Sequence, residues 1–136
     1  MSPSELMEQW MEQVWNQKNT DFIHEHMEAH CDVMGLPEGA CTPDGFAAFR
    51  DQLTSGIEGM KVEMLELVEN GESVAGNGRI TGTHRTTGKP VDFFFGLTAV
   101  VRDDKIVKAH NVVDFLTMFQ QAGLVGEDLV EAELLN

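Results

Sequence analysis

KIVKAHNVVDFLTMFQQAGL, residues 105–124, begins with strand-like apolar character and ends at helical spacing. Asp114 sits between Val113 and Phe115, at the point where one period gives way to the other. Side chains alternate along a strand. Without a bulge, Ile106, Lys108, His110, Val112 and Asp114 share one face, and Val107, Ala109, Asn111, Val113 and Phe115 share the other. A carboxylate on an apolar wall loses solvation and gains a raised pKa, which suits it to proton transfer. Asp114 is equally well placed to cap the helix that begins at Leu116. His110 reads either as a hydrogen-bonded wall residue or as a group that orients a substrate.

Upstream, Val91–Arg102 is an apolar run containing Phe93, Phe94 and Phe95, and Asp103-Asp104 turns the chain into Lys105. Ser73–Thr86 is a long strand interrupted by Gly76, Gly78 and Gly82, as in a bent or bulged sheet. Gly78, Gly82 and His84 share one parity, and Asn77, Arg79, Thr81 and Thr83 the other. A wall bearing those glycines leaves room for a ligand beside His84. Asn70-Gly71 and Thr87-Gly88-Lys89-Pro90 are turn signals, and Val62, Met64, Leu65 and Leu67 read as the first strand.

Before Lys61 the period is helical. Ser2-Pro3-Ser4-Glu5 is a helix start, and Leu6, Met7, Trp10, Met11, Val14 and Trp15 form a stripe. Trp15 reads as core or as pocket wall. Asn19, Thr20 or Asp21 caps a second helix carrying Phe22, Ile23, Met27 and Cys31, followed by a loop over Asp32–Cys41. Thr42-Pro43 opens a third helix with Phe46, Phe49, Leu53 and Ile57 on one side. Three helices, about four antiparallel strands and a short final helix make an α+β domain over 1–136, with the sheet curled around the helices. From Glu127 a tail alternates acids with Leu129, Val130, Leu134 and Leu135, and is expected to form a short helix, to meet a partner or to be mobile.

The 136 residues suit one domain with a real core. A formal charge of -14 opposes phosphate backbones and anionic lipid, so neither nucleic acid nor membrane is an expected partner. Six of the nine Lys and Arg lie between Arg79 and Lys108, where they balance acids on exposed strand faces. There is no apolar stretch of membrane-spanning length and no signal segment at Ser4–Lys18. Cys31 and Cys41 impose no disulfide, and a reducing cytoplasm is expected. His24, His26 and His30 lack the spacing of a zinc motif, nucleotide cradles are missing, and neither metal nor cofactor is expected.

The segments QVWNQKNTDFIHEHMEAH, PDGFAAFRDQL, GESVAGNGRITGTHRTTGKPV and DDKIVKAHNVVDFLTMFQQAGLV together resemble the SnoaL-like polyketide cyclases, a branch of the nuclear-transport-factor-2-like superfamily. The resemblance implies a cone of helices against a curved antiparallel sheet, and a homodimer. It also implies cofactor-free acid–base chemistry, in which a pocket aspartate removes a proton next to a carbonyl and an intramolecular aldol closes a ring. Asp114 matches the aspartate ending the family's strand motif. Lys108 stands where Glu is common, His110 where Trp is common, and Asn111 where an acid is common; the RTTGKP connection is short.

Fold alone does not choose among the superfamily's activities. The first expectation is a cyclase or isomerase acting on a small apolar carbonyl compound, with Asp114 as acid–base and His110 as the orienting group. Trp15, Asn77, His84, Phe93, Phe95 and Asn111 would then contact the substrate. A hydrolase or dehydratase would use the same pocket, and a non-catalytic dimeric binder is the third reading.

Overall fold

In a computed structural model describing residues 1–135, Ser2 Oγ accepts the Glu5 N–H at 3.1 Å and starts α1 (Pro3–Trp10). The helix widens into a π-helical segment, Met11–Asn16, so the apolar stripe runs on without a break. Leu6, Met7, Trp10, Met11, Val14 and Trp15 are all buried. Asn16 ends this stretch with a clip. Its Nδ2 donates to Val62 O and its Oδ1 accepts the Val62 N–H, both at 2.8 Å. One carboxamide thus satisfies two backbone groups on the edge of the sheet, groups that are costly to leave unpaired.

Asn19 caps α2 (Thr20–His26), and Thr42 caps α3 (Pro43–Gly56). His24 Nε2 lies 2.9 Å from Asp44 Oδ1 and links the two helices, which holds the imidazole above its ordinary pKa. Arg50 of α3 is buried and donates to Thr20 Oγ1 at 2.7 Å and to Asp51 Oδ1.

The expected second helix through Cys31 stops at His26. The chain passes directly into β1 (Met27–Met34), which pairs in parallel with β5 (Lys105–Val113). The register slips between Met27 and Asp32, so Met27 and Cys31 both point inward. Four-residue spacing therefore imitates a helix where the chain is an irregular strand.

The sheet has five strands in the order β1-β5-β4-β3-β2, with β2 at Ile57–Asn70, β3 at Ser73–His84 and β4 at Pro90–Arg102. The helices cover one face. β4 alternates along its length, with Val91, Phe93, Phe95, Leu97, Ala99 and Val101 inside. Full burial of Phe93 contributes about 2–3 kcal/mol. The other face keeps Phe94 at 56 % and Val112 at 76 % exposure, and Met34 is also exposed there. Arg79, Arg85 and Arg102 each meet a carboxylate, from Asp92, Glu58 and Glu72 in turn, which accounts for the basic stretch.

α4 (Phe115–Gln121) packs on β4 through a second clip. β5 ends at Val113 and leaves Asp92 of β4 without a neighbouring strand on that side. Gln121 fills the place: Oε1 accepts the Asp92 N–H at 2.7 Å and Nε2 donates to Asp92 O at 2.8 Å. The final element, Glu131–Leu135, is a short π-helical turn with Leu134 and Leu135 exposed. Of the domain expected over 1–136, Asn136 lies outside the described residues. Among them no helix is long and apolar enough to cross a membrane.

The β4–β5 turn holds Asp103 at φ 52° and Asp104 at φ 60°, both left-handed. This conformation suits the hairpin twist but strains any residue with a Cβ. Asp103→Gly is expected to raise stability by about 0.5–1 kcal/mol, after the entropy glycine loses on folding. A higher urea midpoint at unchanged slope would show it; a lower midpoint would mean that the Asp103 side chain itself holds the turn.

Candidate functional site

Between the inner face of the sheet and the helices lies a cavity of about 70 Å³. Its inner end is built by Met7, Trp10, Met11, Trp15, Phe46 and Phe95. The aromatic rings brace one another edge to face: Trp10 on Phe46 at 5.2 Å, Trp15 on Phe46 at 5.8 Å, and Trp15 on Phe49 at 6.0 Å. Such pairs hold ring orientation beyond what burial alone would do. Four of the chain's eight methionines line the space: Met7, Met11, Met27 and Met60. The lining residues that keep solvent contact, including Leu36, Phe49, Leu53, Met60 and Asn111, mark the mouth.

A β-bulge decides which side of β5 the cavity sees. Val101 pairs with Ile106 but Val100 with Lys108, so Val107 is the extra residue. The alternation shifts by one. Ile106 faces inward, and so do Ala109, Asn111 and Val113. The expected common face of Ile106, His110 and Asp114 is corrected by that one residue. His110, Val112 and Asp114 point to the outer side of the sheet.

Of the residues expected around a ligand, Trp15, Phe95 and Asn111 line the cavity. The others stand elsewhere. Asp114 caps α4, where its carboxylate accepts the Thr117 N–H at 3.0 Å and the Thr117 hydroxyl at 2.6 Å. His110 Nε2 faces Asp32 Oδ2 at 3.4 Å across the β1–β5 pair. Asn77 lies on the outer face, with Nδ2 3.4 Å from Glu66 Oε2. Beside it Arg79 is held by Asp92, whose carboxyl it keeps below the ordinary range. His84 closes the β3–β4 turn by accepting the Thr87 N–H at 3.3 Å. Phe93 is core, 6.2 Å from the Phe115 ring.

Room expected beside the glycines of β3 is already filled. A Cβ on Gly78 would lie 2.3 Å from Phe95 Cζ and 2.5 Å from Glu63 O, and one on Gly82 would lie 2.5 Å from Ile57 Cγ2. These glycines make space for neighbouring side chains, and Gly78 lets the Phe95 ring lie flat against the sheet.

Among the described residues the cavity wall has no carboxylate, imidazole, ammonium or guanidinium. Its polar atoms are the Asn111 carboxamide, the two indole N–H groups and the Cys31 thiol. Burial pushes that thiol up to about 11, so it is a weak nucleophile near neutrality. Asn111 holds only a long bond, 3.4 Å from Nδ2 to Ala109 O, and its carboxamide is available to a bound molecule. Both cysteines are free, and no group of three or more metal-ligating side chains occurs among the described residues.

The sequence profile of the SnoaL-like polyketide cyclases matches residues 5–122. The chain belongs to that family. None of the curated proteins matches it. Solved structures share its fold. IdmH of Streptomyces antibioticus, a candidate polyketide cyclase, is 21% identical with a TM-score of 0.81, over 90% of this chain and 99% of that one. A SnoaL-like polyketide cyclase of Agrobacterium tumefaciens is 15% identical with a TM-score of 0.75, over 89% and 98%. A Catenulispora acidiphila protein with a ketosteroid isomerase-like fold, solved with trimethylamine, is 13% identical with a TM-score of 0.76, over 90% and 95%. The SnoaL-like fold here is the curved five-stranded sheet with its N-terminal helices, the α+β architecture expected from the sequence.

Met60, Cys31 and the α3 phenylalanines complete the wall that sequence reasoning left unassigned. The available signal was Gly59 inside a strand, which marks a bulge that re-aims its neighbour. The thiol environment is directly testable. In the folded protein N-ethylmaleimide should modify half-buried Cys41 first, with Cys31 slow at neutral pH and accelerating as pH rises towards about 11. Peptide mass spectrometry resolves the two; rapid modification of Cys31 at pH 7 would contradict the apolar setting.

Proposed function

We propose that this SnoaL-like chain takes a small apolar carbonyl compound into the cavity and promotes its isomerisation or ring closure without a cofactor. The observation that carries this reading is Asn111, the one carboxamide in an otherwise apolar and sulfur-lined wall. Its Nδ2–H groups can donate to a carbonyl oxygen and hold the negative charge that develops there on enolisation. The aromatic wall supplies the other term, holding a flexible chain folded so that its ends meet. In an intramolecular aldol, the enol carbon forms a bond to the second carbonyl carbon, whose π pair moves to oxygen. The enol proton ends on that new alcohol, so the product has the mass of the substrate. With no basic side chain on the wall, water at the mouth, beside Asn111, carries the proton.

A second reading is favoured by that same lack of a base: a dimeric module that binds the compound and does not turn it over. The exposed apolar face around Met34, Phe94 and Val112 supports assembly as a homodimer in either case. Sedimentation velocity should show a species of twice the chain mass, and Phe94→Glu should dissociate it.

The two readings separate on deuterium exchange at the α-carbon of 2-tetralone in D₂O, followed by NMR. An enzyme should speed the exchange saturably. Asn111→Leu should slow it by roughly 10²-fold, the size of a lost oxyanion donor. Asp114→Asn should leave the rate alone and cost about 1 kcal/mol of stability through the weakened cap. Saturable binding with exchange no faster than in buffer selects the binder. A large loss of exchange in a folded Asp114→Asn protein would return the proton-transfer role to the carboxylate on the outer side.

A further inference from the structure

The cavity is tight for a ring. At about 70 Å³ it has half the space, ~150 Å³, in which an apolar protein cavity takes up benzene. A cyclic occupant must therefore displace part of the wall. The inner wall is held by the edge-to-face bracing of Trp10, Phe46 and Trp15, and Phe49 at the mouth is braced on Trp15 in turn. At the mouth, Leu36 follows Gly35, whose α-carbon packs against the Asn111 carbonyl so closely that a Cβ would lie 1.6 Å from its oxygen. Asn111 and Val113 belong to β5, an interior strand, and are paired there with Leu97 and Phe95 of β4.

Met60 differs on each count. It lies on β2, the edge of the sheet. Gly59 before it takes φ +63°, and the pairing with β3 slips between Glu58 and Lys61. A left-handed glycine with one extra residue is a bulge that turns the following side chain, here into the cavity rim. Methionine is unbranched, with three rotatable bonds, and fits irregular and changing space. It is half-buried, so its end can swing towards solvent without leaving a deep void.

We infer that Met60 is the gate of the cavity and sets the size of ring that enters, the ring going in first and its carbonyl coming to rest beside Asn111 at the rim. The polarity of the wall dictates that orientation. Apart from two indole N–H groups and the buried Cys31 thiol, the deep end is aromatic, aliphatic and thioether, while the one carboxamide is at the mouth. The ligand class is thus a planar apolar ring compound with a single carbonyl at one end. This rests on the reading above that the cavity takes a carbonyl compound.

The chain's only two tryptophans, Trp10 and Trp15, both line the cavity, so their fluorescence reports occupancy. Stopped-flow mixing with 2-tetralone would compare the native chain with Met60→Ala and Met60→Leu. Removing the gate should speed association roughly tenfold, within the range by which rates vary among variants of one site. Leucine, of similar volume but branched, should slow it below the native rate. A second measurement follows the methionine methyl signals by NMR, where Met60 should shift on binding in the native protein. Saturable quenching at one common rate in all three chains would overturn the gate and leave the carbonyl site standing. No saturable quenching in any of them would remove the site and the gate with it.

Discussion

One extra residue in β5 governs what this cavity is made of. The bulge at Val107 reverses the facing of every later position in the strand. It delivers Ala109, Asn111 and Val113 to the helices and sends His110, Val112 and Asp114 to the outer side. The reverse choice would set an imidazole and a carboxylate against Trp10, Met7 and Phe46. An unpaired ion there would pay several kcal/mol in lost hydration. It would also strip α4 of its cap, since the carboxylate that accepts from Thr117 would no longer reach it. Burial and capping therefore agree on the same register, and the bulge lets both be met at once.

The sheet can curl around the helices because two carboxamides tie down its loose ends. Asn16 serves Val62 on the β2 edge, and Gln121 serves Asp92 where β5 has run out. Each presents one donor and one acceptor in the pattern of a neighbouring strand, and each sits on a helix. The clips thus fix helix position and backbone satisfaction together. Asn16 follows Trp15, so its hold on β2 also sets the depth of an indole on the cavity wall. Gln121 fixes α4 on β4, and α4 brings the Phe115 ring to 6.2 Å from Phe93.

Most of the architecture was legible because the signals were local. Ser2, Asn19 and Thr42 cap where their positions suggest, and the turns at Gly71, Gly88 and Asp103-Asp104 break the strands as composition requires. The misses share a cause in non-local pairing. β1 looked helical because its slipped register puts Met27 and Cys31 inward at four-residue spacing, and only its partner β5 makes it a strand. The faces of β5 could not be read past Val107, since a bulge is a relation between two strands. Gly78 and Gly82 did mark missing bulk. What fills that space, the rings and methyls of Phe95 and Ile57, is set by strands distant in sequence.

The site residues divide along the same line. Trp15 and Phe95 were chosen from period and neighbourhood and Asn111 from the family resemblance and its carboxamide, and all three line the cavity. His84, Asn77 and His110 were chosen for their chemistry; a turn occupies His84 and Glu66 occupies Asn77, while His110 Nε2 lies 3.4 Å from Asp32 without a hydrogen bond. Polar side chains find partners on the surface far more cheaply than in an apolar wall, so chemical aptitude alone overstates how many face inward. Asn111 is the exception because a neutral carboxamide costs much less to desolvate than a carboxylate would. A wall built on that choice can polarise a carbonyl at any pH at which the chain is folded. It cannot itself hold the proton that enolisation releases. On the proposed reading the route of the proton therefore depends on how far a bound compound reaches towards water at the mouth, where Met60 and Asn111 each keep solvent contact.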